Sequence, residues 1–555
     1  MTRCKSRHLC TVGFGLILSL LLAFSLACSA TASPTPEKAS ATATTVIVPT
    51  PTRAPVTAPT PTVAPVPTSD AKGMPVNGGT LRFALATGIK SLDPLHNVDY
   101  KERHVEYSVY NGLVKMDPKM NIVPDLAQSW DIAPDGKTIT FRLVKGVKFH
   151  DGTDFNAQAV KWNIDKIADP TWGATGRSYI ATAFAGTEAT DDQTLILKLK
   201  QAWRPMLASL SLSDALIISP TAYDKWGDKY PQHPTGTGPF ILKEWLVDNR
   251  IIITKNDKYW EKGLPYLDAV EYRMIPDKSV QLAMLRTNEA ELVDELSGPE
   301  LDVIKGNTKI RAESLDTNNW ESTFFRITKA PFNNKALRQA ISFAMDKQKM
   351  VDAEWQGHAA PGWTTFGFSW WGDSSYQPYR YDPQKAKQKL AEAGYPQGIT
   401  VPYWCQGTDS ELRECEIVQA MLAESGIKVD IKVVVSADWA KIRESECGWC
   451  RQSYRVRPDP DFVNRWALHS QGSAAKNRAG YSNPQVDKLI DDAAGTYDTA
   501  KAGPMYIQAQ KLVFDEAVYV SYYFQTWYAA RSLKLQNFTW YPDTFIRFGQ
   551  FWLDK

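Results

Sequence analysis

Catalytic signatures are missing from this chain of 555 residues. It has no Gly-x-Ser-x-Gly nucleophile elbow, no His-Glu-x-x-His and no Gly-x-x-x-x-Gly-Lys-Ser/Thr, which removes the common forms of serine hydrolase, zinc protease and P-loop chemistry. Histidine is scarce, and the seven present (His8, His96, His104, His150, His233, His358, His469) stand without ligand spacing, so neither a metal site nor a cofactor is expected. Asp-Pro pairs recur at Asp93, Asp117, Asp169, Asp382 and Asp459, but Asp before Pro reads as a turn or helix start, with no acid/base partner at fixed separation. A charge excess is missing too. With 63 basic and 61 acidic side chains the formal charge is +2, which argues against nucleic acid as a partner.

What is present begins at the amino terminus. Arg3, Lys5 and Arg7 precede an apolar run from Val12 to Ala27, too short for a membrane span and flanked as a secretory leader is. Ser25-Leu26-Ala27-Cys28 resembles a bacterial lipobox, which implies cleavage after residue 27 and a lipid on the Cys28 sulfur. Removal of that leader takes three basic residues and leaves a near-neutral mature chain. Residues 28–76 are rich in Thr, Pro and Ala with hardly a charge, so they cannot bury enough apolar surface to fold. Proline biases such a stretch to extended polyproline II, and at ~3.1 Å per residue it can reach on the order of 100 Å as a tether. Roughly 480 residues follow, more than one core accommodates, so two lobes are expected.

Export fits the cysteines. Cys4 and Cys10 leave with the leader, Cys28 is the anchor, and Cys405, Cys415, Cys447 and Cys450 remain as disulfide candidates with three possible connectivities. A zinc site or redox pair at Cys447-Gly448-Trp449-Cys450 is the alternative, although that motif leads into an extended run rather than a helix.

Local patterns read as α/β. Ile139, Phe141 and Leu143 alternate within Thr138 to Leu143, a strand with one face buried, and Asp151-Gly152 marks a turn. Asn156 reads as the cap of a helix stapled by Phe155 and Val160, whose apolar face continues through Ile164 and Ile167. Gly112 reads as the end of an earlier helix, and Leu337, Ile341, Ala344 and Met345 share a helical face. Short strands at Val270 to Met274 and Val429 to Val435 alternate with amphipathic helices.

The stretch from Val123 to Ile167 carries Leu126-Ala127-Gln128-Ser129-Trp130, Asp135 to Leu143 and Lys145 to Gly152 in one ordered run. It resembles family 5 of the bacterial extracellular solute-binding proteins, and GGTLRFAL (Gly78 to Leu85), SLDP (Ser91 to Pro94), GTGPFIL (Gly236 to Leu242) and PFNNKALRQAISFAMDKQKMV (Pro331 to Val351) continue the resemblance. It implies a type II periplasmic-binding-protein-like α/β fold, with two lobes, a hinge, an interlobe ligand cleft and an extra subdomain in the first lobe. The expected organisation is 1–27 leader, 28–76 lipidated Cys and tether, 77–315 first lobe with a subdomain at about 119–225, 316–525 second lobe, and 526–555 returning to the first. The implied function is that of a lipid-anchored extracytoplasmic receptor of an ABC importer. Such a monomer takes a peptide or other small polar solute and delivers it to the permease subunits, with no chemistry of its own. An oligosaccharide receptor of the same fold and a secreted tryptophan-rich glycosidase are the alternatives, the latter separated by glycan turnover.

Aromatics are abundant, with 19 Trp and 23 Tyr. Rings on cleft walls hold sugars, peptide side chains or cations. Trp404 and Trp449 are the leading candidates because each follows an extended run that should end at the cleft, with Asp93 of the SLDP loop behind them. In the peptide-binding members that this chain resembles, an Asp four residues before the Pro of an Asp-Pro or Glu-Pro pair holds the ligand's ammonium group. Here Val456 takes that place, between Arg455 and Arg457, which puts a peptide ligand in question. Tyr454, Arg455, Arg457 and Asp459 complete the candidate ligand-binding set, with Asp461 able to substitute for the missing carboxylate. Lipidation is directly testable. In a bacterium with lipoprotein processing, Cys28→Ser should lose the acyl mass and leave the membrane fraction, and unchanged membrane association would contradict the lipobox reading.

Overall fold

The computed structural model describes residues 73–86, 88–96, 101–365, 370–455, 457–472 and 478–554. The leader, Cys28, the stretch up to residue 72, and Val456 lie outside them. Two strands organise the rest. Ile310–Phe325 and Tyr519–Ser532 pair antiparallel from Ile310↔Ser532 to Phe324↔Tyr519, and the register shifts between Asp316 and Trp320. On one side, Leu292–Asp294, Thr80–Leu85, Ala269–Met274, Arg250–Lys255 and Phe240–Leu246 extend the sheet; on the other, Trp449–Tyr454, Ile399–Gln406 and Ile427–Val434 do so.

Each side has its own core. Leu81, Phe83, Leu85, Val270, Tyr272, Ile251 and Ile253 are buried on one face of the first-lobe sheet, at every second position of their strands, and Ala84 and Val293 pack on the other face against Leu282 and Leu285. In the second lobe both sheet faces are covered. Phe325, Tyr403, Cys405 and Trp449 enter one cluster, while their neighbours Phe324, Trp404 and Cys450 pack in another. A separate sheet of four strands between Ala127 and Leu199 forms the subdomain.

Several local expectations hold. The strand Thr138–Leu143 buries Ile139, Phe141 and Leu143. Helix Ala157–Ala168 is capped by Asn156, whose Oδ1 accepts from the Ala159 N–H at 3.0 Å, with Phe155, Val160, Ile164 and Ile167 buried. One expectation fails. Helix Glu102–Val109 ends three residues before Gly112, whose N–H instead donates to Asp125 Oδ2 at 3.0 Å. Glycine is needed there because a Cβ would lie 2.6 Å from the Val114 carbonyl oxygen.

Parallel pairing puts strand carboxyl ends on common edges: Thr80–Leu85 runs parallel to Ala269–Met274 and Leu292–Asp294, and Ile399–Gln406 parallel to Ile427–Val434. Loops at such ends are where α/β sheets bind ligands.

Lys347 is a buried cation with no ion pair among the described residues. Lys347 opens the helix Lys347–Trp355, donates to the Gly362 carbonyl at 2.9 Å and places its ammonium 4.0 Å from the Trp363 ring centre. Burial pulls it down to about 7. Below pH 7 both folded and unfolded states are protonated and the cost of the buried charge is fully present; as pH rises towards 10.4 the folded state sheds the proton first and the cost fades. Lys347→Met should therefore gain most relative to the parent at pH 6–7, with the gain shrinking by pH 10 in urea titrations. A pH-independent difference would contradict the assignment.

Candidate functional site

The carboxyl end of Trp449–Tyr454 continues through Arg455, Arg457 and Pro458 into the helix Asp461–Ala467, along the edge that meets the first lobe. Here the lobes touch. Phe462 packs in one apolar cluster with Ala208 and Leu212, and Tyr454 and Tyr179 lie against it. Arg457 donates from Nη2 to the Tyr179 hydroxyl at 3.2 Å, and has no carboxylate within ion-pair distance among the described residues. A narrow gap beside it is lined by Met116, Met120, Pro458, Pro542 and Asp543.

First-lobe charges converge on the same edge. Arg103 pairs with Asp214 at 2.9 Å and lies over the Phe545 ring, and Arg547 pairs with Asp543 while its guanidinium sits 4.0 Å from both the Tyr107 and Tyr541 rings. The Tyr107 phenol is held well above its ordinary value by burial, with the Asp543 carboxylate adding to it.

The acid pair of the Asp-Pro-Asp segment is fully engaged. Asp459 is 2 % exposed and takes both Arg204 terminal nitrogens, Nη2 at 3.1 Å. Asp461 accepts from Arg465 Nε at 2.9 Å and from the Tyr506 hydroxyl at 3.2 Å. Neither carboxylate is open to a ligand ammonium in this arrangement, because the chain's own cations fill both.

The remaining candidates separate. Arg455 is exposed, with its guanidinium 5.1 Å from the Trp527 ring centre. Trp404 is half-buried against the outer cluster of the second lobe, opposite Cys450. Trp449 does not reach the cleft. It is fully buried and stacks on Tyr403 at 4.1 Å and on Phe325 at 5.6 Å, because strand alternation turns it inward one position before Cys450. Asp93 is buried as well, accepting from the Leu95 N–H at 3.0 Å and paired with His96 Nδ1 at 2.8 Å, which fixes its own loop.

Cys405 pairs with Cys415 across 6.7 Å of Cα separation and Cys447 with Cys450 across 6.0 Å. One bridge ties the strand Ile399–Gln406 to the helix Asp409–Ala423, and the other closes the turn into Trp449–Tyr454. Cys450 sits in a strand, not at a helix start, and no group of three potential metal ligands occurs among the described residues.

Between the strands Ile310–Phe325 and Trp449–Tyr454 and the helix Asp409–Ala423 lies a charged cluster. Arg451 reaches Glu321 at 2.9 Å, Glu411 at 2.9 Å and Glu414 at 2.5 Å, while Ser453 donates to Glu321 and Tyr523 to Glu414. Burial pushes the Glu321 carboxyl above the usual carboxylate range, opposed by the Arg451 guanidinium. A groove of about 610 Å³ lies elsewhere, along the helix Ala157–Ala168. Along it Lys161 pairs with Asp165, which also accepts from Thr187, and Asp154 pairs with Lys148.

Comparison with known proteins decides the family. The model of bacterial extracellular solute-binding proteins, family 5 Middle, matches residues 121–502. The chain belongs to family 5 of the bacterial extracellular solute-binding proteins. The glutathione-binding protein GsiB of Pectobacterium atrosepticum is 31% identical over 478 residues, covering 84% of this chain and 92% of that protein. Among solved structures, HbpA2 of Haemophilus parasuis superposes with a TM-score of 0.76 at 25% identity, covering 86% of this chain and 100% of that one. The periplasmic binding protein DppA of Helicobacter pylori, in complex with the peptide STSA, gives 0.72 at 27% identity, covering 86% and 99%. The fold is thus the two-lobed type II form of this family, and the chain is an extracytoplasmic solute-binding protein of the ABC importer class.

Arg204, Tyr506, Tyr179, Arg103 and Asp214 were not legible as site residues. Each stands in an ordinary local context, such as Arg204 before Pro205 at a helix start, and meets its partners only through contacts more than a hundred residues away. Trp449→Ala tests the reassignment of the favoured aromatic: it should cost about 3–5 kcal/mol of stability, the range for a buried Trp, in denaturant titration. Near-parental stability with lost ligand binding would return Trp449 to the cleft.

Proposed function

We propose that this chain is a lipid-anchored receptor that takes one peptide-sized or other small polar solute between its two lobes and hands it, chemically unchanged, to the permease of an ABC importer. The carrying observation is the strand pair Ile310–Phe325 and Tyr519–Ser532, shared by both lobes and broken in register between Asp316 and Trp320. There Thr317 Oγ1 donates to the Gln525 carbonyl at 2.6 Å and Thr526 Oγ1 to Asp316 at 3.0 Å, a short side-chain-buttressed joint. We place the hinge at this joint, with the first lobe before it, the second lobe between the two strands, and residues 526–555 returning to the first. Cys28 holds the chain to the membrane through the tether, and the monomer binds one ligand.

The ligand class follows from the charges. Asp459 and Asp461 are filled by Arg204, Arg465 and Tyr506, whereas Arg457 faces the first lobe with a phenol as its hydrogen-bond partner. Guanidinium groups favour carboxylate or phosphate in two-pronged pairing. The preferred solute carries such a group and does not depend on a free α-amine. The names of the relatives, one for glutathione and one in complex with a peptide, support a peptide-like solute of this kind.

Titration calorimetry with glutathione, a free-amine tetrapeptide, its amine-blocked form and a neutral oligosaccharide tests the reading. One binding site per chain is expected for at least one carboxylate-bearing ligand, recovered intact by chromatography. Arg457→Ala should weaken it by about 1.5–3 kcal/mol, the range for charged hydrogen bonds. Turnover of a ligand, or binding confined to free-amine peptides and indifferent to Arg457, would refute it.

A further inference from the structure

We infer that Arg204 and Asp459 form a latch that stabilises the closed arrangement of the lobes, acting as positioning residues for solute capture without touching the solute. Arg204 precedes the hinge in sequence and opens the helix Pro205–Ser209 beside the subdomain; Asp459 lies between the two hinge strands, in the second lobe. Both are nearly dry, at 8% and 2% exposure.

The pair is the centre of a larger contact. The Arg204 guanidinium is 5.1 Å from the Trp370 ring centre and 5.8 Å from that of Tyr506, so second-lobe rings cover it. Its Nη2 donates to the Tyr506 hydroxyl at 3.2 Å, which donates in turn to Asp461 at 3.2 Å, and Asp461 is held by Arg465, whose guanidinium lies 4.7 Å from the first-lobe Trp203 ring centre. Main chains join directly as well: the Arg204 N–H donates to the Ala494 carbonyl at 2.8 Å, and the Tyr497 hydroxyl to the Gly136 carbonyl at 3.2 Å. Ala494, from a second-lobe helix, is buried within the first-lobe core.

Such a contact cannot persist when the lobes swing apart. Opening would strip a bidentate, aromatic-covered guanidinium from its carboxylate and rewet both, a step that a buried ion pair resists because each lone charge is left without its partner. The latch therefore weights the closed state, and apparent solute affinity scales with the fraction of chains that is binding-competent. This rests on the reading of the interlobe cleft as the solute site. The test needs no solute, so failure of that reading and failure of the latch are distinguishable.

Small-angle scattering and hydrogen exchange of the full chain, without added ligand, read the latch. Arg204→Gln and Asp459→Asn should each lower the closed-to-open ratio by on the order of tenfold or more, seen as a larger radius of gyration and faster exchange at residues 200–206 and 492–506. The exchanged pair Arg204→Asp with Asp459→Arg should recover at least part of the compactness, which a merely structural loss would not. Tyr506→Phe, which keeps the ring and drops the hydroxyl, should give an intermediate radius and guards against misfolding of the charge variants. Parental radius and exchange in all of these folded variants would overturn the latch, as would a single charge variant that unfolds globally while Tyr506→Phe behaves as the parent.

Discussion

Everything in this chain hangs on two strands that belong to both lobes. The pairing of Ile310–Phe325 with Tyr519–Ser532 is backbone hydrogen bonding, insensitive to side-chain detail, so it carries the sheet from one core to the other without interruption. The interruption comes from register. Between Asp316 and Trp320 one strand runs ahead of its partner, and a β-bulge of this kind bends and twists a ladder locally. In the reading proposed above, this is the joint about which the two lobes rotate while remaining one sheet. Its polar side chains, Thr317 and Thr526, are bonded within the joint and do not add to either core.

The cleft inherits its chemistry from that arrangement. Strand alternation decides which residues of the second lobe can face the first, and it sends Trp449 into the core, stacked on Tyr403, while the chain beyond Tyr454 runs along the cleft edge. The two disulfides fix the amino-terminal side of this same segment: one at its turn, one on the adjacent strand. Arginine dominates the edge. Arg103 and Arg547 each have a carboxylate, Asp459 has been taken by Arg204, and Arg457 is left facing a phenol, and it is on this balance that the proposal of an acceptor-rich solute rests.

Much of the scaffold was legible in the sequence because its determinants are local. The alternation of Ile139, Phe141 and Leu143 and the Asn156 cap depend on neighbours within a few residues, and both stand as read. Gly112 was misread because two different needs select glycine: ending a helix, and letting backbone pass backbone. Trp449 was misread because the pattern of an extended run gives its two faces but not which of them is covered, and here helices cover both. Asp459 reads in the sequence as a ligand contact; in the structure its carboxylate is taken by Arg204, 255 residues away, a partner no local pattern could name. The missing carboxylate at Val456, by contrast, is visible in sequence alone, and the ligand class it motivates is the proposal made above.

The central claim is that the two lobes close on one small solute and release it unaltered. Native mass spectrometry of the full chain, isolated without denaturation, reads this most directly. The expected spectrum shows one small molecule of defined mass per chain, removed by unfolding and regained with the same mass on refolding in its presence. A chain that carries and regains nothing, or that returns the molecule with a changed mass, would contradict it.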